Sequence, residues 1–157
     1  MGLWPVYVTR TNDPEKGYET KKQLREDTEQ HIYDVGSVLR AMGYELAKRA
    51  DEHDWSKLEY FDEFAKDTLE REDTPDFKQR NWYKIHTTKE RHHINARVPE
   101  DVNLFDLLEL ISDCVVAGKT RSGSVNDDFL VIPQKVLNNA YWNTVKLVKE
   151  NVELYEE

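Results

Sequence analysis

Hydrophobic positions recur at threes and fours along most of this chain, which predicts helices joined by short polar breaks. Over residues 19–50, Leu24, Val35, Val38, Leu39, Met42 and Leu46 fall on one stripe together with His31, predicting a long helix with a single buried face. Gly36 and Gly43 each weaken that helix by about 1 kcal/mol relative to alanine, so a bend or break is expected there. "SKLE", Ser56 to Glu59, has the capping-box pattern and predicts a second helix starting at Ser56, carried on by Phe61, Phe64, Ala65 and Leu69. "REDTPD" interrupts the pattern, and Pro75 falls near the first turn of a third helix over 76–93. "NLFDLLELISDCVVAG", residues 103–118, is a strongly apolar helix closed by its glycine, and a last helix covers 134–155. Residues 1–18 read as an extended lead-in, with "WPVYVT" a short strand and "NDPEKG" a turn, while "FLVIP" is a strand or a lead-in. The expectation is an all-α single domain over 1–157, a bundle of five to six helices with a short extended N-terminal segment.

Composition narrows the function. Apolar residues make up 38% and charged residues 34%, as in a water-soluble globular protein, and 11% aromatic content argues against disorder. A net charge of -9 disfavours a nucleic-acid polymer or an anionic membrane as partner. One cysteine, Cys114, excludes an internal disulfide and suits a reducing cytoplasm. No apolar run approaches the roughly 20 residues that span a bilayer, and "MGLWPVYVTR" lacks the regions of a signal peptide, so a cytoplasmic protein is expected. Charge is uneven: Lys78, Arg80, Lys84, Lys89, Arg91 and Arg97 face a single acid, Glu90, and Lys119 and Arg121 follow in a second basic stretch. Either these are solvated helix faces or they focus a small anion into one site.

The candidate chemistry lies in the five histidines, His31, His53, His86, His92 and His93. Neighbours on a helix point about 100° apart, so His53 and Asp54 reach one ion only at a helix end. Asp113 stands within an apolar helix, where a carboxylate needs a partner or a metal. Imidazole and carboxylate donors suit divalent Mn, Fe, Co, Ni or Zn, with Mg admissible, as one or two ions. A lone histidine on an apolar stripe, like His31, is more often hydrogen-bonded in a core. Lys57 is otherwise an ordinary helix lysine, and Trp55, Trp82 and Tyr83 pack or stack on a base.

The order His31, His53-Asp54, Asp113 resembles the H…HD…D arrangement of the HD-domain superfamily over residues 24–122. "HDWSK" is similar to the HDxxK form of many members, including the HD-GYP phosphodiesterases. His92-His93 resembles the paired histidines of binuclear members, although "INARVPED" replaces the GYP loop and His86 lies close before the pair. The resemblance implies a metal-dependent phosphohydrolase in which a metal-activated water attacks phosphorus. It implies His31, His53, Asp54 and Asp113 as ligands of one ion, with His86, His92 and His93 at a second and Asp54 bridging. Lys57 would hold a phosphate oxygen or leaving group, and Lys89, Arg91, Arg97, Lys119 and Arg121 would hold the remaining charge of a small anion, a nucleotide above all. Two other readings stand beside it: a di-iron oxygenase on the same ligands, and a non-catalytic helical binding module stabilised by metal. Oligomeric state is left open.

Overall fold

The computed structural model describes residues 2–70 and 76–155. The expected break at 71–75, with Pro75 opening a helix, lies outside them. The described chain is all-α apart from one small ribbon, with helices α1 (Lys21–Glu52), α2 (Trp55–Glu59), α3 (Phe61–Leu69), α4 (Asn81–Lys89), α5 (Leu104–Arg121) and α6 (Gln134–Asn151). Short strands β1 (Val6–Val8) and β2 (Val152–Leu154) pair in parallel, Val6 opposite Val152. Among the described residues no helix is long and apolar enough to cross a membrane. Contacts divide the chain into two compact units, Met1–Lys48 with Thr144–Glu157, and Arg49–Asn143.

In the first unit, α1 passes through Gly36 and Gly43 without the expected break. Its buried positions are Asp34, Ala41 and Glu45, whereas Leu24, Val35, Leu39 and Leu46 of the expected stripe are exposed, as is His31. The face turned inward is the one whose polar groups are satisfied: Asp34 accepts from Thr9 N at 3.2 Å and from Gln30 Nε2 at 2.9 Å. Trp4 stacks on Tyr44 with ring centroids 3.9 Å apart. The expected helix over 134–155 ends at Asn151, and its last residues pair with β1 instead. Val152-Glu153-Leu154, with apolar residues alternating about Glu153 and a β-branched Val152, pairs with the ladder that "VYV" offers, and Tyr155 N donates to Val8 O at 2.7 Å.

The second unit is organised around α5. Ile94, Val102, Leu107, Leu110 and Ala140 form its buried apolar cluster, with Leu104, Cys114, Ile132 and Val136 packed against it. Asn103 and Asp106 make the reciprocal capping box that starts α5: Asn103 Oδ1 accepts from Asp106 N at 3.2 Å and Asp106 Oδ2 accepts from Asn103 N at 3.0 Å. The helix runs past Gly118 to Arg121 rather than closing there. Gly118 is needed for another reason, since a Cβ there would stand 2.7 Å from Ser124 O in the returning loop. On the other side of the site, α3 is docked on α4 by Asp67, which accepts from Trp82 N at 2.8 Å, and by Phe64 against the edge of Trp82. The expected 76–93 helix is a 3-10 turn, Phe77–Gln79, followed by the shorter α4.

Asp106 is fully buried and carries three charge-assisted bonds besides its cap: Arg49 Nη1 at 2.9 Å, Arg91 Nε at 3.0 Å and Arg91 Nη2 at 3.0 Å. Removing one member of such a group leaves the others buried and unpaired. Asp106→Ala is therefore expected to lower unfolding free energy by about 3–5 kcal/mol. The exposed Leu108→Ala, on the same helix, should cost under about 1 kcal/mol in the same urea titration.

Candidate metal centre

His53 and Asp54 form the two-residue turn between α1 and α2, so both side chains point off helix ends. Asp54 takes the left-handed conformation at φ 56°, the one described non-glycine residue with positive φ. Aspartate tolerates this at a cost on the order of 1 kcal/mol. In return the turn aims two donors at the same point. Asp54 heads α2 without a side-chain cap bond, and Lys57 Nζ pairs with Asp54 Oδ2. The expected capping role of Ser56 is not what the structure shows. Ser56 is buried within α2, its Oγ lies 2.7 Å from His86 Nδ1, and its backbone N–H donates to Glu90 Oε1 at 3.1 Å.

His86 comes from the last turn of α4, and His92 and His93 from the tight turn that follows. That turn is closed by Ile94 N to His92 O at 2.8 Å and anchored by the buried Ile94. Asp106, Glu109 and Asp113 lie at i, i+3 and i+7 on α5, one face of a helix. Asp113 and Glu109 thereby reach the histidines while Asp106 holds the helix in register.

Nε2 atoms of the histidines turn inward to shared oxygens. His92 Nε2 is 3.4 Å from Asp54 Oδ1 and 3.6 Å from Asp113 Oδ2; His53 Nε2 is 3.6 Å from Asp54 Oδ2 and 3.6 Å from Asp113 Oδ1. His86 Nε2 is 3.3 Å from Asp54 Oδ1 and 2.6 Å from His93 Nε2. Donors held about 2.1 Å from a tetrahedral ion stand about 3.4 Å from one another, so the histidine–carboxylate spacings fit a metal ion, whereas the shorter His86–His93 contact is that of a hydrogen bond between the two rings. Asp54, His86, His92 and His93 form one group able to hold it; His53, His92 and Asp113 form a second, and Glu90, His92 and Glu109 a third. His92 has no exposed surface, yet its Nε2 and Asp54 Oδ1 have no hydrogen-bond partner. Buried polar atoms left open in this way are costly unless something binds them.

Outer partners hold the rings. Nδ1 of His53 bonds Glu109 Oε1 at 3.0 Å, and Nδ1 of His92 lies 3.1 Å from the same oxygen, off the line of a hydrogen bond. Glu109 Oε2 accepts from Arg49 Nη1 at 3.0 Å. The field divides the histidines into two kinds. Asp113 and then Glu109 hold the His53 imidazolium up to about 9. Burial opposes charge on His92, but Asp113, Asp54 and Glu109 outweigh it and raise the ring to about 11. Burial, reinforced by the charge of His93, pushes His86 down to about 3, and burial with the neighbouring His92 pushes His93 down to about 4. Burial works upward on Asp54 and Glu109, yet His92 and Lys57 keep Asp54 well below the usual carboxylate range, and His53 and His92 keep Glu109 near about 2. Asp113 is held far down by His53 and His92.

Six of the seven expected ligands thus meet: His53, Asp54, His86, His92, His93 and Asp113. His31 does not join them. It sits exposed in mid-helix, and α1 continues unbroken to Glu52, so the residue that α1 delivers to the cluster is Arg49. His92 stands where His31 was expected: with His53 and Asp113 it forms one donor set, and with Asp54, His86 and His93 another. Of the cations expected to hold a substrate, Lys57 is the one among the described residues that adjoins the cluster's inner oxygens. Arg91 is engaged by Asp101 and Asp106, and Arg97 donates to Thr88 O at 2.9 Å; Lys89, Lys119 and Arg121 are exposed. Trp82 packs on Phe64 and beside His86, and Trp55 is 41% exposed. Arg49, Ser56, Glu90 and Glu109 complete the site and escaped the sequence reading. Glu109 had the same signal as Asp113, a carboxylate in the apolar run "LLELIS".

These features define an all-α protein with a buried histidine–carboxylate cluster able to hold a metal ion. The chain belongs to DUF5662, a family of unknown function whose profile matches residues 20–153. No curated protein and no solved structure matches it.

Two outcomes follow from the geometry. His31→Ala should leave metal stoichiometry unchanged in elemental analysis, whereas His92→Ala should abolish it. In metal-free protein, His53 and His92 have raised folded-state values, so their contribution is complete below about pH 6.5 and is lost as pH rises through about 9 and then about 11. His86 and His93 are depressed, so stability also falls below about pH 6.5, as the unfolded chain takes up protons these rings refuse down to about 3–4. Thermal melts of chelator-treated protein should peak near pH 6.5, and loading with zinc should remove the alkaline loss, because the ion replaces the protons.

Proposed function

We propose that this chain is a metal-dependent hydrolase acting on a small phosphoester, with a nucleotide the substrate class that the HD-domain resemblance implies. The observation that carries the proposal is the convergence of the His53, His86 and His92 Nε2 atoms on Asp54 and Asp113, with His93 beside His86 and with His92 Nε2 and Asp54 Oδ1 buried without a hydrogen-bond partner. His53, His92 and Asp113 would hold one ion, and Asp54, His86 and His93, which close on the same His92, would offer a second position. A divalent ion there would bring the pKa of its water toward neutrality and draw charge from a phosphoryl oxygen. Lys57, paired with Asp54 Oδ2, would take the charge of a leaving oxygen once an ion held that carboxylate in its stead. Ser56 and Glu109 keep His86 and His53 from rotating, and burial of His86 and His92 excludes bulk water from the inner face.

The number of nitrogen donors favours one second reading, oxygen chemistry at two irons, because His86, His92 and His93 all lie in the cluster. One experiment separates them. Protein loaded in turn with Mn, Co, Ni, Zn and Fe(II) is assayed for phosphate release over nucleotides and for dioxygen uptake. The hydrolase reading expects phosphate release that falls to background in Asp54→Asn, a variant that tolerates the left-handed turn. Lys57→Met should retain the metal and lose turnover. Dioxygen uptake by the iron form alone would transfer the assignment to an oxygenase, and bound metal with neither activity would leave a structural centre.

A further inference from the structure

A histidine can offer a lone pair to an ion only if its proton sits on the other ring nitrogen. For two of the four inward-facing histidines that choice is made at a single atom. Glu109 Oε1 stands 3.0 Å from Nδ1 of His53 and 3.1 Å from Nδ1 of His92. A bare nitrogen lone pair that close to a carboxylate oxygen is repelled, along the hydrogen-bond line in His53 and by charge at short range in His92, whose Nδ1 lies off that line, so in each neutral ring the proton belongs on Nδ1 and the lone pair on Nε2. The second oxygen, Oε2, takes Arg49 Nη1 at 3.0 Å, and that same nitrogen reaches Asp106 Oδ1 at 2.9 Å. Glu109 is therefore fixed from both sides: its charge is met by Arg49, and its rotation is blocked because Arg49 is itself tied to a fully buried carboxylate.

We propose that Glu109, braced by Arg49, is the positioning residue of the metal centre, one carboxylate oxygen setting the tautomer of two ligating histidines at once. This rests on the metal centre proposed above. A carboxylate serving only as the ion-pair partner of Arg49 would affect stability without changing which nitrogen faces the ion. A tautomer-setting carboxylate changes the ligand itself. In Glu109→Gln the side chain keeps its size but carries an amide NH2 that can face Nδ1, which favours the wrong tautomer in both rings.

Cobalt(II) is titrated into wild type and Glu109→Gln, reading affinity and the visible absorption of the bound ion, and nitrogen-15 shifts assign the histidine tautomers of zinc-loaded wild type. The proposal expects His53 and His92 both protonated at Nδ1 in the zinc form. It also expects about a 10–100-fold loss of cobalt affinity in Glu109→Gln, with an altered absorption spectrum. Equal affinity with an unchanged spectrum overturns it. So does an Nε2–H assignment for either ring in zinc-loaded wild type, a measurement that needs no variant to fold. Wild type that takes up neither cobalt nor zinc refutes the centre as a whole, which is distinct from a binding wild type matched by its glutamine variant.

Discussion

Everything in the site is referred to one buried carboxylate, Asp106. It has no exposed surface, closes the capping box of α5, and gathers Arg49 and Arg91 on its two oxygens. A buried charge of this kind is tolerated only because each lone pair is met, and meeting them fixes where α5 starts and how it is rotated. With that rotation set, Glu109 and Asp113 have no freedom of placement: they fall one and two turns along the same face. The position of the histidine–carboxylate cluster is therefore a consequence of how a helix N-terminus is satisfied.

The second constraint is charge balance. Asp54, Glu109 and Asp113 crowd one volume, and the same structure supplies the compensation in two interchangeable forms. Protons on His53 and His92 balance the carboxylates in the absence of an ion, as their raised values imply. His86 and His93 stay neutral because burial and mutual repulsion deny them a proton. Neutral His86 and His93 face each other through Nε2 at 2.6 Å, so one of the two carries its proton there. An ion entering the cluster would therefore displace protons, those of His53 and His92 among them.

Much of this was legible in the chain. The order of His53-Asp54, the later histidine pair and Asp113 in an apolar helix marked the donors, and the adjacency of His53 and Asp54 pointed to a helix end, where the turn between α1 and α2 places them. His31 misled because a histidine on an apolar stripe satisfies the same pattern whether or not its helix face turns inward. Periodicity reports that a face exists and is silent about its partner. In α1 the buried positions were Asp34, held by Thr9 N and Gln30 Nε2, with Ala41 and Glu45. Arg49 was missed for a related reason: its role exists only through contacts between residues far apart in sequence, which no local spacing encodes, whereas Glu109 carried the same signal as Asp113. Val152–Leu154 was missed because a parallel partner at the far end of the chain decides between helix and strand there.

The disposition of the cations constrains any substrate more tightly than the basic stretches suggested. Arg49 and Arg91 are consumed in holding Asp106 and Glu109, and an arginine already paired in a low-dielectric setting cannot turn to a ligand without leaving a carboxylate stranded. Arg97 is committed to a backbone carbonyl, and Lys89, Lys119 and Arg121 lie exposed, where water screens them. Lys57 remains, and it is paired with the oxygen of Asp54 that an ion would claim. Under the hydrolase proposal, an anionic group entering the centre would thus be held by the ion and one released lysine rather than by an arginine clamp. Such a site discriminates weakly by total negative charge and strongly by whether one oxygen can reach the ion, which favours a compact monoester-like group over an extended polyphosphate that needs several cations along its length.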